Sequence, residues 1–188
     1  MPDGGSRGTT PGPTSKRIST IPVAVCDSSV LIHLAAIGQF GLLQRFFDTI
    51  VIPPAVWREV VEEGQGMSGS RETAEGVQAG RVAIQAPADR SLVSILAREL
   101  HPGEAEALAP AAGGCGDIAL VDETDARRAA DSLGPRKTGT VGLLMRARRE
   151  GSVTSLGAEL ERLRGEGGFR IDDDLYHLAL ASVGEDAE

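Results

Sequence analysis

The chain has 188 residues, is 41% hydrophobic and 24% charged, and carries a formal charge of −8. That is apolar material for one ordinary domain and not for two. The acidic balance argues against a passive nucleic-acid coat protein, which carries an excess of Lys and Arg, but not against an enzyme that holds metal ions among carboxylates. No run approaches the ~20 apolar residues of a membrane span, and the opening MPDGGSRGTTPGPTSKRIST lacks the apolar centre of a signal peptide. A cytoplasmic protein with no membrane partner is therefore expected. Cys26 and Cys115 have no metal-ligand spacing and are expected to be free thiols.

Residues 1–19 are rich in Gly, Pro, Ser and Thr and are expected to form a disordered tail. The folded domain is expected over 20–183, followed by a frayed acidic end over 184–188. The apolar, β-branched run from Ile21 to Cys26 predicts a buried strand that delivers Asp27 at its carboxyl end, before Ser28 and Ser29 open a helical pattern. Val30 to Ile37 and Gly38 to Phe47 read as two short helices. Thr49 to Ile52 is a brief strand stopped by Pro53 and Pro54, and PAVWREVVEE is a helix with Trp57 and Val60 on its core face. Gly64 to Gly80 reads as a loop around a short helix over Arg71 to Gln78.

Arg81 to Ala86 is predicted as a strand ended by Pro87, and Leu92 to Leu100 as a helix. HPGEAEALA opens another helix at Pro102, with Glu104 in its first turn; Pro110 is expected to cut it short. Asp117 to Val121 is a compact strand running into Asp122, Glu123, Thr124 and Asp125. Next come the helix ARRAADSLG, a short strand near Pro135 to Lys137, the triplet Thr138-Gly139-Thr140, and a helix closed by Gly151. Ser155 to Arg164 and Asp172 to Ala181 are helical. Strands alternating with helices on short connections predict an α/β fold whose mainly parallel sheet is covered on both faces.

Taken singly, the acids are ambiguous. Asp27 suits a helix N-cap, Glu104 suits the positive end of a helix dipole, and Asp122 and Asp125 suit the start of ARRAA. Taken together, Asp27 and Asp122 each follow directly on a buried strand, and right-handed crossovers place such strand ends on one edge of the sheet, where ligands bind. Glu104 can face the same crevice. Carboxylates about 5 Å apart repel by roughly 3 kcal/mol per pair at an effective dielectric of 20, so a cluster needs compensation. An all-carboxylate set suits the hard ions Mg²⁺ or Mn²⁺. His33, His101 and His177 lack ligand spacing and are expected at the surface or in packing.

The ordered series VCDSSVLIHLAAIG, PPAVWREV, PGEAEALA, LVDETDARRAADSLG and TGTVGLLMRARREG, with GFRIDDDLYHLAL at the end, resembles the PIN-domain nucleases. The nearest branch is the VapC-like, DUF3368 type, and the likeness covers roughly Ile21 to Ser182. The resemblance implies a three-layer α/β/α PIN-like fold and metal-dependent endoribonuclease activity on single-stranded RNA with Mg²⁺ or Mn²⁺. It implies 5′-phosphate and 3′-hydroxyl products, a small antitoxin protein that blocks the site in toxin members, and in many members a homodimer. Asp27 matches the first acid, Glu104 the helix acid and Asp122 the third, the three catalytic candidates. Glu123 and Asp125 are alternatives for the fourth metal ligand.

Ser28, Arg127, Arg128, Lys137, Thr138 and Thr140 are candidates for contact with the RNA, as is Arg136. Thr138 and Thr140 fit equally a strand-to-helix turn with a threonine cap. The basic residues that crowd the second half fit either a phosphate-contacting patch or a solvated helix face. Only 3% of residues are aromatic, so base stacking is not the obvious recognition device. The competing reading is a catalytically inactive PIN-fold module for protein binding or regulation, which would have no reason to keep Asp27, Glu104 and Asp122 together. A haloacid-dehalogenase-like phosphatase also places Asp after its first strand, but it needs an acid two residues on, where Ser29 stands.

Overall fold

In the computed structural model, which describes residues 22–186, the strands are β1 (Val23–Cys26), β2 (Thr49–Ile52), β3 (Val82–Ile84), β4 (Ile118–Leu120) and β5 (Lys137–Thr138). All pairings are parallel and the order is β3-β2-β1-β4-β5. The expected tail over 1–19, and Ile21 at the head of the first predicted strand, lie outside the described residues. Alternation along the strands decides which face each residue serves. Ala24, Cys26, Ile50, Ile52 and Leu120 join one apolar cluster, while Val25, Val51, Ala119 and Val121 join another on the opposite face.

The helices cover both faces. On the first lie α1 (Ser28–Ala36), α2 (Gly41–Phe46), α3 (Pro54–Trp57), α4 (Ser70–Gln78), α8 (Thr140–Arg149), α9 (Leu156–Gly165) and α10 (Asp173–Ser182). On the second lie α5 (Arg90–Leu96), α6 (Pro102–Ala112) and α7 (Thr124–Leu133). The result is a three-layer α/β/α fold. No described helix is long and apolar enough to cross a membrane, and Cys26 and Cys115 are both free.

Strand order reverses between β1 and β4, which pair in the register Val25 with Ala119 and Cys26 with Leu120. The crevice outside the carboxyl ends of these two strands is the topological switch point of the sheet. Asp27 and Asp122 stand on its two sides, and the Asp27 N–H still donates to the Leu120 carbonyl at 3.1 Å.

Two local expectations need correction. Helix α6 does not stop at Pro110; it continues to Ala112. Proline inside a helix forfeits one backbone hydrogen bond and crowds the preceding turn, at about 3 kcal/mol. Here Pro110 is in the last turn and buried, and its own carbonyl accepts the Cys115 N–H at 2.8 Å. The single helix expected over PAVWREVVEE is two: α3 passes into a π-helix over Arg58–Glu63. The wider π turn changes which side chains share a face, and such turns concentrate at functional sites.

The chain is also held past 183. Glu185 accepts from the Leu156 and Gly157 N–H groups, both at 2.9 Å, from Ser155 Oγ at 3.2 Å, and from Arg148. Burial alone would raise this carboxyl, but the Gly157 and Leu156 N–H groups, then Arg148 and Ser155, hold it down at about 2. A depressed carboxylate stabilises the fold fully above its unfolded value, about 4.3, and loses that contribution as pH falls towards 2. Glu185→Gln is expected to lower the urea midpoint at pH 7, with the gap from wild type narrowing between about pH 4.5 and pH 2. A gap of constant size across that range would show that the carboxylate charge contributes nothing.

Candidate metal centre

Asp27 caps α1. Its Oδ1 accepts from the Val30 N–H at 3.1 Å and from Ser29 Oγ at 3.0 Å. Its Oδ2 is buried and has no hydrogen-bond partner. The cap and the site are therefore one residue using two different oxygens. A buried oxygen without a partner costs about 1–3 kcal/mol, and more when charged. Burial, and then the neighbouring Asp122, raise this carboxyl from 3.8 to about 8; the hydrogen bonds from Val30 and Ser29 oppose the shift only in part.

At Asp27 opens a cleft of about 360 Å³ that is also lined by Ser28, Ser29, Glu59, Glu99, His101, Glu104, Glu123 and Asp125. Glu104 is brought there by α6. Its Oε2 accepts from the His101 N–H at 2.8 Å, which fixes the first turn. Gly103 lets α6 approach closely: a Cβ there would stand 3.3 Å from Glu59 Oε2 and 3.8 Å from Ser28 Oγ. Burial raises the Glu104 carboxyl, the His101 N–H lowers it, and Glu123 and Asp125 raise it again. Asp27 feels both Asp122 and Glu104, and Glu104 feels Glu123 and Asp125, so acids from three separated segments share one field.

Glu59 was missed in the sequence, where PAVWREVVEE read as an apolar helix face and nothing else. The π-helix that begins at Arg58 sets it on the cleft wall, with Oε2 4.0 Å from His101 Nδ1.

Asp122 is placed otherwise than expected. Its Oδ1 accepts the Thr140 N–H at 2.7 Å, and its Oδ2 accepts Thr140 Oγ1 at 2.6 Å and lies 2.8 Å from His33 Nδ1. Both oxygens are occupied within the chain, and the carboxylate lines a second groove instead of the acidic cleft. Gly139 makes this clamp sterically possible, since a Cβ would fall 2.5 Å from Asp122 Oδ1 and 2.8 Å from the Val121 carbonyl. His33, expected in a surface or packing role, is one of the clamp's three partners. Thr140 does not cap α8 through its side chain: it is fully buried and both of its donors are spent on Asp122.

The remaining candidates divide. Ser28 lines the acidic cleft; Arg127 and Thr138 line the second groove, and Arg127 also donates to the Val121 carbonyl at 3.2 Å. Arg128 pairs with Asp125 at 3.4 Å and Lys137 with Asp131. Arg146, Arg148, Arg162 and Arg164 pair with Glu150, Glu185, Glu159 and Glu161, respectively. Most of the basic run is thus paired with acids of the same chain.

Among the described residues no group of three or more His, Cys, Asp or Glu side chains could hold a metal ion as the side chains stand. Two features nevertheless fit a hard dication: the donors lining the cleft are carboxylates and hydroxyls together with one imidazole, and the buried Asp27 Oδ2 has no other partner.

A family model described as PIN domain, of the DUF3368 type, matches residues 23–185. The chain belongs to the PIN-domain family, a nuclease fold. No curated protein matches it.

Because the folded Asp27 carboxyl is raised, ionising it opposes folding progressively as pH climbs from about 4 towards 8. In chelator, Asp27→Asn keeps the cap through its amide oxygen and is expected to be more stable than wild type at pH 8, by a few kcal/mol, with the two converging near pH 4. Urea unfolding at both pH values checks this. A variant less stable than wild type at pH 8 would show that the carboxylate is compensated by something inside the chain.

Proposed function

We propose that the protein is a metal-dependent endoribonuclease that hydrolyses phosphodiester bonds of single-stranded RNA. The observation that carries this reading is the unpaired, buried Asp27 Oδ2 beneath a cleft walled by Glu59, Glu104, Glu123 and Asp125. Asp27, Glu59 and Glu104 would hold Mg²⁺ or Mn²⁺, with Glu123 and Asp125 on the rim for a second ion. When bound, such an ion lowers the pKa of a water so that it attacks phosphorus at neutral pH, and it offsets the charge that grows on the leaving oxygen.

The chain's own groups supply orientation. Val30 and Ser29 fix Asp27 through Oδ1 and leave Oδ2 aimed away from them. The His101 N–H fixes one oxygen of Glu104. Asp122 acts at a remove, tying the end of β4 to the start of α8 and adding negative field to Asp27. On this reading Asp122 is a positioning residue. RNA is the substrate, and in a toxin member a small antitoxin would cover the same cleft.

One observation favours the other reading, an inactive PIN-fold module: Asp122 has both oxygens satisfied inside the chain. Incubation of defined single-stranded RNA with the protein and Mn²⁺ separates the two. Cleavage to 5′-phosphate products is expected, lost in chelator and reduced to background in Asp27→Asn and Glu104→Gln. Mn²⁺ at a hundredfold excess over its Kd should also raise the melting temperature by about 5–10 °C. Cleavage that persists in chelator, or in Asp27→Asn at the wild-type rate, contradicts the assignment. No cleavage and no thermal shift would leave the inactive module.

A further inference from the structure

The segment Asp122–Asp125 is a ridge with different chemistry on its two sides. Glu123 and Asp125 face the acidic cleft, whereas Asp122 and Thr124 face a second groove of about 330 Å³. That groove runs between β5, α8 and the loop joining α9 to α10, and lies at the small end of the range for ligand sites. Its lining includes Arg127, Met145, Phe169 and Arg170.

Three features set it apart from the rest of the surface. Arg127 and Arg170 have no carboxylate partner among the described residues, in a chain whose other basic side chains in this half are mostly paired with acids. Asp172, which also lines the groove, caps α10 with Oδ1, accepting the Leu175 N–H at 2.8 Å, and makes no ion pair with Arg170. Phe40, Phe46 and Phe47 are buried in the core, but Phe169 is only half-buried and lies in the groove wall.

The loop that carries Phe169 and Arg170 is anchored from both sides. The Phe169 N–H donates to the Leu163 carbonyl at 3.1 Å, and Ile171 is buried in the core. The Phe169 ring meets the His33 ring edge-on, with centroids 4.8 Å apart, and His33 is hydrogen-bonded to Asp122. One ring therefore separates the groove's aromatic wall from the carboxylate that lies next to Asp27. A platform fixed before binding loses little entropy when a ligand arrives. An aromatic ring flanked by unpaired guanidinium groups suits a base with its neighbouring phosphates.

We infer that this groove is a nucleotide subsite for the RNA strand on one side of the scissile bond: Phe169 takes a base by stacking, and Arg127 and Arg170 neutralise flanking phosphates. The inference rests on the nuclease reading for its substrate, and it names where the strand runs as it leaves the acidic cleft.

The test is fluorescence anisotropy of a labelled single-stranded RNA decamer with the full chain, in chelator to prevent cleavage, over a series of salt concentrations. Phe169→Leu is expected to weaken binding about tenfold with little change in salt slope, and Phe169→Trp to restore it. Arg170→Ala, at an exposed position that does not endanger the fold, is expected to reduce the slope of log K against log salt by about 0.7. Affinities of Phe169→Leu and Arg170→Ala equal to wild type, or no RNA binding by wild type, would overturn the subsite. Cleavage with Mn²⁺ on the same preparations separates the two failures. Cleavage with unaltered variants removes the subsite alone, and variant-sensitive binding without cleavage removes the nuclease reading alone.

Discussion

The structure is organised around a carboxylate that the fold buries and only half satisfies. Asp27 gives one oxygen to the first turn of α1 and leaves the other, at 1% exposure for the residue, with no donor in reach. Buried polar atoms are nearly all hydrogen-bonded, to protein or to water, so an unpaired carboxylate oxygen calls for an explanation. The neighbouring acids increase it: Asp122 and Glu104 both oppose ionisation of Asp27, and Glu123 and Asp125 oppose that of Glu104. In the isolated chain a proton on Asp27 relieves this repulsion up to about pH 8; a dication bound there would take the proton's place and satisfy the neighbouring acids as well.

The topology delivers that crowding. Because the strand order turns between β1 and β4, two strand ends open one crevice, and α6 returns over it with Glu104 in its first turn. The π-helix after α3 adds Glu59 from the other side. Asp122 stabilises this arrangement without exposing an oxygen to it. Its bonds to Thr140 and His33 join β4, α8 and α1 at the place where they meet. The acidic cleft and the groove that holds Phe169, Arg127 and Arg170 are thus two sides of one ridge.

Much of this was legible in the residues. Apolar runs that end in Asp27 and Asp122 announced parallel strands with acids at their carboxyl ends, and PGEAEALA announced a helix with Glu104 in its first turn. What escaped was whatever depends on tertiary geometry. Glu59 sits in a run whose periodicity is helical, and nothing in that run marks it as part of the cleft wall. The partnership of His33 with Asp122 spans 89 residues. Thr140 resembles a cap, and only the approach of β4 shows that its donors serve a carboxylate from another element. Pro110 misled in the opposite direction, because burial outweighed a local rule.

On the proposed nuclease reading, Asp27 Oδ2 is the atom that a divalent cation takes. Crystals grown with saturating Mn²⁺ address it most directly, through an anomalous difference map of the cleft. A peak is expected within bonding distance of Asp27 Oδ2 that also meets Glu104 or Glu59, and it should disappear in Asp27→Asn. A map with no peak at Asp27, or with Mn²⁺ bound only at other acids of the surface, would contradict it.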